Sequence, residues 1–536
     1  MHLNLDQLAP ATCRKPVFAA RGVVATSQPL AAQAGLATLR RGGNAVDAAI
    51  ATAATLTVVE PASCSVGGDA FALVWDGQRL HGLNGSGRAP TTLTAEIARA
   101  HGQQLPDCGW LPVTVPGAPA AWHDLHQRFG RLPFEGLFAD AICYAEQGYP
   151  VSPRSAYNWG HSLTRFASGL SAAEFARWSA VFAPAGHAPR AGEIWRSAEL
   201  ARTLQLIAES GAAALYTGKL AERIGSFAAS TGGWLSASDL AHHTSSWVEP
   251  IHASYRGYDV WEIPPNGQGL ATLIALNILA GFDLAGIARD SAQSYHLQIE
   301  AMKLAFADAH RYIADPEHAP VPLAALLSHE YAARRRALIG ERALQPAHGE
   351  PLAGDTAYLC VADADGMMVS LIESTFSGFG GGIVVPGTGI ALQNRGAGFR
   401  LEPDHPNVLA PGKRPYHTII PGFLTRDGQP IGPFGVMGGH MQPQGHVQMI
   451  VNTLDYGMHP QASLDAPRWS WWADRYAKVE AHAHPAIAAE LRARGHELEV
   501  DADPDPFGCG QIIWRLPGGG YVAGSDGRTD GCAIGY

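Results

Sequence analysis

Two apolar stretches near the start of the chain recur at helical spacing. Residues 31–39 and 45–59 are rich in alanine and aliphatic side chains, and Gly42-Gly43-Asn44 lies between them. That tripeptide predicts a helix stop followed by a restart, with Asn44 capping the second helix. The second stretch is apolar almost all round, so it should be buried on every side. Residues 70–75 and 80–83 read as a hairpin across Asp76-Gly77, and Val115-Pro116-Gly117 precedes a helix through Trp122. From about 120 to 315 the pattern is mostly helical, with amphipathic runs at 198–210 and 220–229 and the longest at 291–313. A short extended passage at 251–263 interrupts it. Residues 316–353, rich in Ala, Pro, Arg and His, read as a surface segment with a weak helical period at 329–342. Beyond residue 356 strands and glycine-rich turns take over, with one helix at 447–454. Helices around a strand-rich C-terminal third predict an α+β fold, with sheets inside and helices outside.

Composition narrows the function classes. The 536 residues are 46% hydrophobic and 16% charged, which describes a folded, enzyme-sized chain and not a disordered one. The net charge of −10 argues against nucleic acid or an anionic membrane as partner. No 18-residue apolar run is present, so no membrane span is expected, and residues 1–14 lack the pattern of a signal peptide. Seven scattered cysteines without a CxxC spacing point to idle thiols in a reduced, cytoplasmic protein. His482 and His484 lack companions at metal-ligand spacing, and Thr217-Gly218-Lys219-Leu220 lacks the features of a phosphate loop. Trp469, Trp471 and Trp472 read as core. No metal and no cofactor is expected.

Gly354-Asp355-Thr356 opens a strand-prone run, 357–362, which turns at Asp363-Ala364-Asp365-Gly366 into a second strand, 367–374. An ordinary strand start accounts for the tripeptide. Scission between Asp355 and Thr356 would instead give Thr356 a free α-amine beside its own hydroxyl. One residue would then supply both nucleophile and base.

Motifs in order along the chain weigh on this choice. They include Gly42-Gly43-Asn44-Ala45-Val46-Asp47-Ala48-Ala49, Val59-Glu60-Pro61, Gly67-Gly68, Val115-Pro116-Gly117 and Tyr255-Arg256-Gly257-Tyr258. Pro264-Pro265, Glu300-Ala301-Met302-Lys303, Ala307-Asp308, Asp315-Pro316, Gly354-Asp355-Thr356, Lys413-Arg414-Pro415, Gly438-Gly439 and Asp465-Ala466-Pro467-Arg468 complete the series. Together they resemble the gamma-glutamyltranspeptidase family of N-terminal-nucleophile hydrolases over almost the whole chain. The resemblance implies a four-layer αββα sandwich, made as a zymogen that cleaves itself between Asp355 and Thr356. Residues 1–355 would form a large fragment and 356–536 a small one, intertwined in one domain. By position, Thr356 is the implied nucleophile and α-amine base, and Ser374 the residue that bonds its amine. Gly438 and Gly439 fall on the oxyanion-hole glycines.

The glutamyl-binding positions depart from the family. Phe376 stands where an asparagine is usual. Arg395-Gly396-Ala397-Gly398, after Asn394, replaces an acidic stretch, and His417-Thr418 replaces paired serines. The arginine that grips the glutamyl carboxylate falls on Ser86, with Arg88 two residues on. An acidic group is lost and Arg395 gained, which shifts recognition from a zwitterion toward an anion. Arg395, Arg88, Asn394, His417, Thr418 and His440 are therefore the candidate substrate contacts. Arg395 equally suits a structural salt bridge to Glu402 or Asp404. The pattern resembles the amidohydrolase branch of the family, which includes oxamate amidohydrolase and cephalosporin acylases. The segment from Phe399 to Lys413 is shorter than the family's lid region, which favours water over an amino-acid acceptor.

These readings predict a self-processing amidohydrolase acting on a small carboxylate-bearing amide, with oligomeric state, including a homo-oligomer, left open. Two alternatives stand beside it: a gamma-glutamyl hydrolase or transferase acting on glutathione-type compounds, and an unprocessed, non-catalytic binding protein.

Overall fold

A computed structural model describes residues 14–345 and 355–536. Gly354 and the rest of 346–354 lie outside the described residues, as do Met1 to Cys13. The helix restart at Asn44 takes the expected form. Asn44 Oδ1 accepts the Asp47 N–H and Asp47 answers the Asn44 N–H, a reciprocal cap that opens the helix Ala45–Val59. All fifteen residues of that helix are buried, in keeping with its apolar circumference.

Two seven-stranded antiparallel sheets carry the fold. In spatial order the first runs Val17–Ala19, Tyr521–Ser525, Cys509–Arg515, Gln429–Met437, Gly422–Arg426, Tyr258–Glu262 and Ile251–Tyr255. The second runs Cys532–Gly535, Val23–Thr26, Asp355–Ala362, Met368–Phe376, Asp69–Trp75, Leu80–Asn84 and Ser246–Val248. Each sheet mixes strands from before and after residue 356.

The sheets stack face to face on a core of Phe71, Tyr358 and Ile372 from one and Phe423, Met437 and Ile513 from the other. Gly435 permits a close approach of the two sheets: a Cβ there would meet the Tyr358 ring at 2.5 Å. The outer face of the second sheet packs Leu359, Val369 and Leu371 against Ile50 and Leu56 of the Ala45–Val59 helix. The outer face of the first packs Leu424, Phe434 and Ile512 against Leu273, Ile299 and Val447 of three further helices. The layers are helix, sheet, sheet, helix, as the α+β sandwich expectation requires.

Local differences from the sequence reading cluster after residue 440. The helix expected at 447–454 begins at Met441. Its first turns carry Gln442, Gln444, His446 and Gln448, all buried and all hydrogen-bonded. Polar residues on an inward face break the apolar period on which helix reading depends. Short helices Pro460–Asp465 and Pro485–Ala493 were not anticipated; proline stands at the first turn of each. His484 caps the second by accepting the Ala486 N–H. Among the described residues the six cysteines are free thiols, and no helix is long and apolar enough to cross a membrane.

Candidate active site

Thr356 sits at an irregularity in the ladder. Pairing is regular from Ala362↔Met368 to Ala357↔Glu373, then shifts so that Asp355 lies opposite Phe376. Thr356 alone therefore faces two residues, Ser374 and Thr375, and such a bulge re-aims a side chain. Phe376 takes φ +80°, a left-handed conformation rare for an aromatic residue, and its N–H donates to Ser374 Oγ at 2.8 Å. The Thr356 hydroxyl donates to Ser374 Oγ at 3.3 Å and accepts from Gln442 Nε2 at 3.3 Å. These bonds are long, and Thr356 is 1% exposed. The Asp355 side chain lies outside the described residues.

Gln442 belongs to the first turn of the helix Met441–Leu454, and its Oε1 accepts the Ile420 N–H at 3.0 Å. Gly438 and Gly439 lie just before that turn with φ of +125° and +59°. Their own N–H groups meet no protein acceptor among the described residues. Gln268 fixes this corner, donating from Nε2 to the carbonyls of Thr418 (2.6 Å) and Gly439 (2.9 Å). The arrangement offers a buried hydroxyl held by two polar side chains beside a glycine pair at a helix N-terminus, where developing negative charge is favoured.

A cleft of about 140 Å³ opens next to it. Phe376, Thr418 and His440 form part of its wall, with Tyr416, His310, Leu105, Phe399 and Arg400 further along. Phe376 lies two residues beyond Ser374 and His440 two before Gln442, so the cleft and the Thr356 hydroxyl share their framework. His440 stacks on Tyr416 and meets His310 edge-on. Burial holds the His440 imidazole well below its ordinary range, with help from His310, Arg395 and Arg400; His310 falls to about 4. Both rings are neutral at neutral pH.

Arg395 is fully buried. Its Nη1 donates to Thr418 Oγ1 at 2.7 Å, and its guanidinium lies 4.4 Å from the centre of the Phe376 ring. Among the described residues, Nε and Nη2 have no hydrogen-bond partner. The salt bridge to Glu402 or Asp404 is absent among the described residues; Asp69 is the carboxylate whose charge Arg395 feels. Burial lowers the guanidinium to about 9 and Asp69 opposes that, so Arg395 stays cationic at neutral pH.

The remaining candidates stand elsewhere. Arg88 grips Glu317 with two bonds of 3.0 and 2.9 Å and also reaches Asp315 and the Gly412 carbonyl. Asn394 is spent on structural bonds, accepting the Ser377 N–H and donating to the Asp107 carbonyl and Ser377 Oγ. His417 uses both ring nitrogens internally, Nε2–H toward Asp69 at 3.0 Å and Nδ1 from the Ile419 N–H. Ser86 bonds Asn84. Gln442, Gln268, Asp69 and Tyr416 were missed by the sequence reading, because each joins the site through a contact distant in sequence.

Metal-ligating groups gather once among the described residues, at buried His296, Glu300 and His496. They are already engaged: His296 Nδ1 meets His496 Nε2 at 2.9 Å, while Glu300 takes the Lys303 ammonium and the Leu344 N–H, each at 2.8 Å.

The family model for gamma-glutamyltranspeptidase matches residues 31–536. The chain belongs to the gamma-glutamyltranspeptidase family. Among gamma-glutamyltranspeptidase relatives, a glutathione hydrolase-like proenzyme of Bacillus subtilis (strain 168) is 37% identical over 97% of this chain and 99% of its own. An oxamate amidohydrolase proenzyme of Klebsiella pneumoniae is 35% identical over 96% of this chain and 98% of its own. A crystal structure of cephalosporin acylase from Bacillus halodurans superposes with a TM-score of 0.94 at 54% identity, covering 98% of this chain and 97% of that one. As a gamma-glutamyltranspeptidase-family protein with hydrolases as relatives, the chain is an enzyme of the amidohydrolase kind.

Proposed function

We propose that the chain cleaves itself before Thr356 and then hydrolyses a small amide that carries a carboxylate. The Thr356 hydroxyl attacks the Asp355 carbonyl, an ester forms as the peptide C–N bond breaks, and the proton passes to the departing nitrogen. Water hydrolyses that ester, leaving Asp355 as a C-terminal carboxylate and Thr356 with a free α-amine. Fragments 1–355 and 356–536 result. The α-amine, whose ordinary pKa is about 7.7–8.0, then takes the proton as the hydroxyl attacks substrate. The N–H groups of Gly438 and Gly439 hold the oxyanion, and Ser374 and Gln442 hold the nucleophile. The amine product leaves, and water releases the acid.

The observation that carries the substrate class is Arg395, a buried guanidinium with two donor nitrogens that have no partner among the described residues, bonded to a residue of the cleft wall. An uncompensated donor pair suits a carboxylate. Arg88 and Asn394 take no part in this reading, since their polar atoms are occupied. The test has two parts. A denaturing gel should show two bands, and the N-terminus of the smaller should be Thr356. Ammonia release from oxamate is then compared with glutamate release from glutathione, the compound named for the Bacillus subtilis relative. Turnover of glutathione without oxamate would reverse the assignment.

A further inference from the structure

The cleft beside Thr356 carries a second cation. Arg400 is the arginine that lines it, whereas Arg395 lies behind Phe376 and Thr418. The backbone of Arg400 is clamped on both sides. Its N–H donates to the Asn407 carbonyl at 3.0 Å, and its carbonyl accepts the Leu409 N–H at 2.9 Å. The other end of the residue is unclaimed: no hydrogen bond or ion pair among the described residues engages the Arg400 guanidinium. The carboxylates of the wall, Asp107 and Glu402, are both exposed, and Glu402 Oε2 accepts the Leu401 N–H at 3.2 Å instead.

Three rings link the two arginines. His440, Tyr416 and His310 touch one another, and all three feel the Arg400 charge, while His440 also feels that of Arg395. His310 Nδ1 and His440 Nδ1 are buried with no hydrogen-bond partner among the described residues, so the middle of the cleft keeps polar atoms unspent. Burial orders the two cations: Arg395 is fully buried and Arg400 half-buried. An acyl-enzyme gives that order a meaning. The acyl group stays on the nucleophile while the amine departs toward solvent, so the inner cation faces the acyl part and the outer one the leaving part. A half-buried guanidinium without a counter-charge is a ready partner for an anion.

Resting on the reading of Arg395 as the acyl-carboxylate contact, we propose that Arg400 is a specificity-determining residue that binds a second carboxylate, carried by the amine that leaves. The preferred substrate is then an N-acyl amino acid with an anion at each end, not the simple amide of ammonia. Attack by the Thr356 hydroxyl breaks the amide C–N bond, the nitrogen takes the proton, and the amino acid departs past Arg400. Water then cleaves the ester and releases the acid. The cleft, at about 140 Å³, is small beside the roughly 300–1,000 Å³ of drug-sized pockets, which suits a short acyl group on a short amino acid.

The experiment compares two compounds with the same acyl part: N-oxalylglycine, whose leaving group is glycine, and N-isobutyloxamate, of like shape without the second charge. The kcat/KM of the processed enzyme should favour N-oxalylglycine by about tenfold or more, the worth of one charge-assisted hydrogen bond. Arg400→Gln should bring the two within about threefold of each other, and any factor common to both cancels in the ratio. A wild type that shows no preference or cleaves neither compound, or an Arg400→Gln variant that keeps the preference, overturns the proposal. If that variant does not mature, salt decides in the wild type. The preference should shrink several-fold from about 20 mM to about 500 mM NaCl, since Arg395 acts on both compounds alike, and a preference indifferent to salt overturns the role of Arg400. Oxamate and Arg395→Ala keep the two readings apart. Oxamate turnover that is lost in Arg395→Ala, with no preference between the paired compounds in the wild type, sinks Arg400 alone. Undiminished oxamate turnover in Arg395→Ala sinks the acyl-carboxylate contact and, with it, the order of the two cations.

Discussion

At the scale of the residue, the site depends on a hydroxyl with few neighbours. Thr356→Ala is expected to give one band on a denaturing gel, since no other oxygen replaces the missing nucleophile; two bands would remove Thr356 from the cleavage step. Arg395→Lys keeps a charge but loses the planar fork and the contact with Phe376, so KM for a carboxylate-bearing amide should rise roughly tenfold or more with kcat less affected. Steady-state kinetics on oxamate check this, and unchanged KM would exclude a substrate contact. Thr356, Ser374 and the glycine pair could be proposed from the chain because family motifs fix them at sequence positions. Asp69 and Gln442 were not legible, since their contacts span 348 and 86 residues and no local pattern announces them. Arg88 shows the converse: a cation at a suggestive position, already claimed by Glu317 and Asp315.

Secondary-structure elements place these atoms through their ends. The Asn44 cap is stitched at both ends, with Asn44 Nδ2 also reaching the Phe129 carbonyl. Asn44→Ala should lower stability by about 1–2 kcal/mol, read from urea unfolding midpoints, with the site unchanged. Gly438→Ala acts differently. Its φ of +125° disfavours any side chain, and a Cβ would stand 3.0 Å from Gly508 Cα. The N–H groups of the pair would shift, so kcat should fall by about tenfold or more, and the strained backbone should lower the unfolding midpoint as well. The Ala45–Val59 helix was legible because its circumference is apolar almost all round. The helix at Met441 was half legible, because its buried glutamines bond Trp469 and Trp471 backbone groups that only the folded chain supplies.

Across the whole molecule, buried carboxyls set the response to pH. Glu373 faces the helix layer and stays protonated up to about 8, chiefly through burial. Its folded value lies above the unfolded one near 4.3, so the folded state holds the extra proton between them. The stability it contributes is complete below about pH 4 and is lost as pH rises through 8, at up to ~1.4 kcal/mol per pH unit. Asp69 adds a fall of the same sign, ending near 7. Unfolding midpoints should decline from about pH 5 to 8 and level off above that, and Glu373→Gln should flatten the decline. Sheets inside and helices outside were legible from the helical middle and strand-rich end of the chain, and the four-layer order came with the family resemblance, while the pairing of strands from opposite ends of the chain was not legible. That interleaving would outlast the self-cleavage proposed above. If the backbone is cut before Thr356 as proposed, strands within each ladder belong to two separate polypeptides. Denatured mature enzyme must then reassemble by encounter, at a rate that scales with concentration, whereas the uncut Thr356→Ala chain folds at a rate independent of dilution.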